Sequence, residues 1–121
     1  MRLIEFSREG AEPISLFESV CAASVAVGDG LGEAHVYCIY LEPGGTIGEH
    51  QAGFDQLLLV VEGSAWAAGE DGKRAALSSG QGAYFATGEI HSKGSDEGAT
   101  VIMIQMSSIT PVARARPRRS A

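Results

Sequence analysis

Apolar residues in this chain fall in short runs separated by glycine-rich turns, with little of the three-to-four residue spacing of helices. Leu3–Phe6, Ala22–Val27, Ala34–Leu41, Ser64–Ala68, Arg74–Leu77, Ala83–Ala86 and Ala99–Met106 read as strands. Asp55–Val61 is almost wholly apolar, which predicts a strand covered on both faces. Ile14–Glu18 fits either a turn of helix or a further strand. Gly28-Asp29-Gly30-Leu31-Gly32 predicts a hairpin turn, and Glu70-Asp71-Gly72 a tight turn. Many short strands at near-regular spacing predict an all-β sandwich or barrel in a single domain, as 121 residues allow.

Two stretches stand out within this pattern. Gly44 to Gly63 and Gly80 to Ser95 each carry one histidine, His50 and His91, beside a glycine turn and a short apolar strand. Histidines on neighbouring strands of one barrel can share a small volume, which suits a metal site or an acid/base pair. In the first stretch Gly44 is followed by five residues and His50, then by Gln56 and Gly63. In the second, Gly80, Ala86, Gly88, His91 and Ser95 fall in fixed register. Both spacings resemble the paired motifs of the cupin superfamily, and the resemblance runs from about Val36 to Met106.

The resemblance implies a cupin double-stranded β-helix, a jelly-roll barrel, over residues 1–113. It implies a metal site at the motif positions, where this chain departs from the pattern. Ala52 replaces the second histidine, Gln56 the glutamate, Ala86 the proline and Ser95 the asparagine. The surviving candidates for catalysis and for metal binding are His50, Gln56 and His91. The cofactor is then a divalent transition metal (Zn, Ni, Cu, Fe or Mn), or the site works metal-free. A His pair can move protons without metal, and Gln56 can orient a carbonyl or hydroxyl. The functions in view are a small-molecule enzyme of isomerase, cyclase or lyase type, a non-catalytic binding or sensing module, and a barrel kept as a structural or oligomerising unit around a vestigial site.

Strand alternation assigns faces. If His50 points inward, Gly48 and Ala52 do too. Gln56, Leu58 and Val60 then share the cavity face, and Leu57, Leu59 and Val61 form an outer apolar row that needs cover from the rest of the barrel or from a second subunit; a homodimer through this face or the edge strands is expected. Either Tyr84 or Phe85 faces the cavity. Gln105 joins it if the row of Val101 and Met103 points inward. Glu49, Glu89 and His35 read as exposed.

Charge narrows the partners. The net charge is −6, and without Arg114, Arg116, Arg118 and Arg119 the body holds five basic against fifteen acidic residues. An acidic body argues against nucleic acid and anionic membrane as partners. Residues 114–121 read as a basic, disordered tail. Cys21 and Cys38 read as two reduced core thiols. The N-terminus has no apolar stretch like that of a signal peptide, so the expected location is cytoplasmic.

Overall fold

A computed structural model describes residues 1–117. Its strands are β1 (Arg2–Glu5), β2 (Glu12–Pro13), β3 (Ala23–Ser24), β4 (Gly28–Leu41), β5 (Thr46–Gln51), β6 (Asp55–Ala68), β7 (Arg74–Ser78), β8 (Gln81–Phe85), β9 (Ile90–Gly94) and β10 (Ala99–Pro111). A single 3-10 turn covers Arg8–Gly10. No helix among the described residues is long and apolar enough to cross a membrane.

β6 serves two sheets. Its first half pairs with β8 and β10, its second half with β7 and β9. One sheet runs β1-β8-β6-β10-β4, and the other runs β7-β6-β9-β5, with every pairing antiparallel. The strand turns the corner at Gly63, where φ is 77°. A Cβ at that position would run into the Gly98 carbonyl, so only glycine fits.

The two sheets face each other across one core. Leu58, Val60, Val101, Met103 and Phe85 come from the first sheet, and Ala65, Ala67 and Leu77 from the second. Leu58 and Val60 are fully buried, and each contributes about 1.5–3 kcal/mol. The parity expected for β6 holds on this inner side.

The outer row is covered at two of its three residues, and Val61 stays 45% exposed. Leu57 and Leu59 are buried in a second cluster with Ile4, Ile109 and Ala113, flanked by Phe6 and Val27. The chain's own terminal segments therefore cover the leucines that suggested a subunit interface. Large apolar side chains instead lie exposed along β4, at Leu31, Val36, Tyr37 and Tyr40. β4 is also the free edge of its sheet.

Several boundaries move. The glycines expected to form a hairpin turn lie inside β4, because β10 continues to Pro111 and gives them backbone partners. Gly30 leaves room for the Met106 sulfur, and Gly32, at φ 88°, sits beside Ser107 where the β4–β10 register shifts. Ile14–Glu18 forms neither helix nor strand. The Glu70–Gly72 turn forms as expected, with Gly72 N–H donating to Gly69 O at 3.0 Å. Cys21 and Cys38 are free thiols but exposed, not core.

The expected free tail is pinned over its first residues. Ala113 is buried, Glu5 N–H donates to Arg114 O at 2.9 Å, and Arg116 N–H donates to Leu3 O at 3.0 Å. Ala115 bridges Ile4, and the Arg116 guanidinium donates to Ala76 O. The cause is the open edge of β1, whose backbone groups need partners. Arg118 and Arg119 lie outside the described residues.

Candidate functional site

His50 on β5 stands directly opposite His91 on β9. The ring centroids are 4.5 Å apart and the planes are tilted by 52°. A bulge creates this pairing. β9 advances two residues from Lys93 to His91, while β5 advances three, from Ile47 to His50. Ile47 packs against the inner core. Plain alternation would put Glu49 beside His91; the surplus residue re-aims His50 instead. The expectation that Gly48 shares the His50 face therefore fails, since Gly48 lies in the bulge. Ala52 is buried, and its backbone is bonded to Glu89 O and Gly88 N–H across the β8–β9 turn.

Each ring has a neighbour that fixes its tautomer. His50 Nδ1 lies 2.8 Å from Gly48 O, a carbonyl that can only accept. Nδ1 thus carries the proton, and the exposed ring keeps a lone pair on Nε2. His91 Nδ1 lies 3.2 Å from Lys93 Nζ. An ammonium can only donate, so Nδ1 accepts and the proton sits on Nε2. That Nε2 is buried and has no hydrogen-bond partner.

Lys93 was not read from the sequence as a site residue. It follows His91 by two on the same strand, so it faces the same interior, and it is 2% exposed. Its Nζ lies 5.6 Å from the centre of the Phe85 ring, which in turn packs on His91 at 4.4 Å. Burial pushes the Lys93 ammonium down to about 8. Burial, then the Lys93 charge, then His50 push the His91 imidazole down to about 4.

Gln56 enters from the facing sheet. It pairs with Phe85 on β8 and with Gln105 on β10, and Gln105 pairs in turn with His35 on β4. Paired residues share a face, and the row of Val101 and Met103 belongs to the inner core. Gln105 and His35 therefore continue a polar row at this end of the barrel. Gln56 is buried, and its Oε1 has no donor. Phe85 takes the inner face and Tyr84 the outer cluster.

The remaining polar groups near the site are structural. Glu89 accepts from Ala86 N–H at 3.1 Å and from the Met1 amino group at 2.6 Å. Burial pushes its carboxyl up, but these donors outweigh it and hold the group below its usual range. Ser95 accepts from Gly98 N–H and donates to Ser64 O, tying the β9–β10 loop to β6.

No family model matches the sequence, and no curated protein matches it significantly. Solved structures do. A cupin-like protein from Thermotoga maritima is 17% identical over 83% of this chain and 90% of its own, with a TM-score of 0.59. A cupin superfamily protein from Desulfitobacterium hafniense is 18% identical over 89% and 100%, with a TM-score of 0.58. A cupin-2 domain protein from Shewanella frigidimarina is 19% identical over 76% and 86%, at 0.54. The chain has the cupin fold.

A divalent metal, which resemblance to cupins implies, fits this donor set badly. Among the described residues no three His, Cys, Asp or Glu side chains converge on one point. Gln56 brings a neutral amide oxygen. Lys93 adds a cation 3.2 Å from His91 Nδ1 and fixes the proton on Nε2, the nitrogen that would face an ion. Binding there would require displacing that proton beside a buried positive charge.

A cavity of about 770 Å³ lies away from the histidines. Phe6, Arg8, Ile14, Cys21 and Val27 line it, under the N-terminal segment that crosses the outer face. It has volume but no cluster of unpaired buried polar atoms. Three buried polar atoms lack a partner among the described residues: Ser7 Oγ, between the lining residues Phe6 and Arg8, and His91 Nε2 and Gln56 Oε1 in the barrel interior.

Proposed function

We propose that this cupin-fold protein binds a small molecule at His50 and His91 and transfers protons on it without metal, as an isomerase, cyclase or lyase does. The observation that carries the reading is a pair of rings 4.5 Å apart whose neighbours, Gly48 O and Lys93 Nζ, call for opposite tautomers. His50 Nε2 offers a lone pair at the exposed end and serves as general base. His91 Nε2–H is a neutral, desolvated donor and stabilises the oxygen on which charge develops. Gln56 orients the substrate from the opposite sheet.

A screen of small metabolites by imidazole ¹⁵N–¹H NMR tests the site. Ligands should shift both rings, and His91→Ala should abolish the response. Ligands that bind wild type and a His50→Ala, His91→Ala double variant alike would place binding elsewhere, with the 770 Å³ cavity first in line. The second reading is a binding module. It is favoured by the complete burial of His91. Solvent deuterium entering a bound ligand only when His50 is present separates catalyst from binder.

A further inference from the structure

We propose that Lys93 is the anchor for a carboxylate, so that the ligand of the His50–His91 site is a small organic monoacid carrying a hydroxyl or carbonyl oxygen beside its carboxylate. The inference rests on the small-molecule reading above and deepens it by naming the ligand class.

The argument starts from a missing partner. Lys93 is among the largest fully buried side chains of the protein. Among the described residues, none of the ion pairs includes it. Its neighbours are a neutral imidazole nitrogen and an aromatic face, which leave its charge uncompensated. A buried charge without a counter-charge costs several kcal/mol, and an apolar side chain of similar size is ordinarily more stable there. The barrel gains nothing in packing from an ammonium at this position. A ligand that carries the opposite charge supplies the missing half of the pair.

The surroundings select among anions. One lysine offers one positive charge, matching a monoanion; a phosphate dianion would bury a surplus negative charge. Phe85 presents a flat face beside the Lys93–His91 contact, which suits a planar carboxylate. Apart from Ser7 Oγ, which lies away from the histidines, the orphans are one donor, His91 Nε2–H, and one acceptor, Gln56 Oε1. A hydroxyl on the ligand brings an acceptor and a donor to a wall that lacks both. His50 is the exposed member of the pair, so a ligand would approach from its side.

Lactate and lactamide form a matched probe pair, equal in shape and differing in charge, with inorganic phosphate as a third arm. Each is titrated into the full chain while the His91 and His50 ring signals are followed. Lactate should shift both rings and saturate in the millimolar range. Lactamide and phosphate should do neither at the same concentrations. Lys93→Met should weaken lactate at least about tenfold, as loss of a desolvated charge partner does. Lys93→Gln provides a second variant, and circular dichroism confirms that each is folded. Equal responses to lactate and lactamide, a stronger response to phosphate, or undiminished lactate binding in Lys93→Met would overturn the anchor. So would no response to lactate, since a built carboxylate site should accept a minimal hydroxy acid. Neutral ligands that move both rings while lactate does not would leave the small-molecule reading standing and remove only the anion.

Discussion

Lys93 Nζ stands 3.2 Å from His91 Nδ1, and among the described residues no carboxylate stands within ion-pair distance of that ammonium. The contact couples two effects. It fixes which nitrogen of His91 holds the proton, and its like charge adds to burial, the larger cause, in keeping that ring neutral.

Stability should rise with pH through the titration of Lys93. Its pKa falls from 10.5 to about 8 on folding. Between those values the unfolded chain holds a proton that the native chain has released, so raising the pH favours the native state. The gap is worth roughly 3 kcal/mol across that window. His91, which faces Lys93, is neutral throughout it. Thermal unfolding of wild type and Lys93→Met from pH 7 to 10 gives the test, with their difference as the readout. The variant should melt higher at pH 7, and its advantage should shrink as the pH climbs. A constant difference would contradict the assignment.

His91 should stay neutral through mildly acid pH. Its pKa is 6.5 in an open chain and about 4 in the fold. Between those values only the unfolded state takes up the proton, so this ring's contribution to stability is complete above 6.5 and drains away as the pH falls to 4. Imidazole NMR should show a proton on Nε2 and no midpoint for His91 between pH 5 and 8.

Gly63→Ala should destabilise the fold by about 2–3 kcal/mol or more. The new methyl must sit at φ 77° and meet the Gly98 carbonyl. Urea unfolding measures the loss. An unchanged midpoint would mean that the corner of β6 does not depend on this glycine.

Removing residues 113–121 should lower the melting temperature by several degrees. The cut removes the buried Ala113 and the hydrogen bonds of Arg114 and Arg116 to β1. Two backbone bonds at about 1 kcal/mol each, plus the lost cover over Leu57 and Leu59, set the scale. Differential scanning calorimetry of the truncated and full chains decides it.

Chelator treatment should leave the melting temperature unchanged, because the interior is built around an ammonium. Zinc should bind Lys93→Met more tightly than wild type, the repelling charge being gone. Adding Ala52→His and Gln56→Glu to that variant should strengthen binding further. Isothermal titration compares the three; zinc tighter in wild type than in Lys93→Met would restore the metal reading.

The parts of this structure that were legible from sequence are those governed by local rules. Alternation placed Gln56, Leu58 and Val60 on the inner face, and motif spacing brought His50 and His91 together. Lys93 was equally open to alternation, counted two residues on from His91, but a lysine is so seldom buried that its charge argued for the surface. The glycines before Leu31 looked like a turn because the continuation of β10 that pairs with them lies far away in sequence. Docking of Arg114 and Arg116 depends likewise on a free edge of β1 that composition cannot reveal. The bulge in β5 was invisible for the same reason: it is a mismatch between two strands and belongs to neither alone.

That mismatch gives β5 one spare residue, held between Ile47 and His50. Its place along the strand is a choice of pairing rather than of sequence. Were the spare residue stored beyond His50 instead, Glu49 would move opposite His91 and point at the interior. The bulge thus keeps the one carboxylate of β5 off the ring beside Lys93, and the ammonium stays without a counter-charge among the described residues.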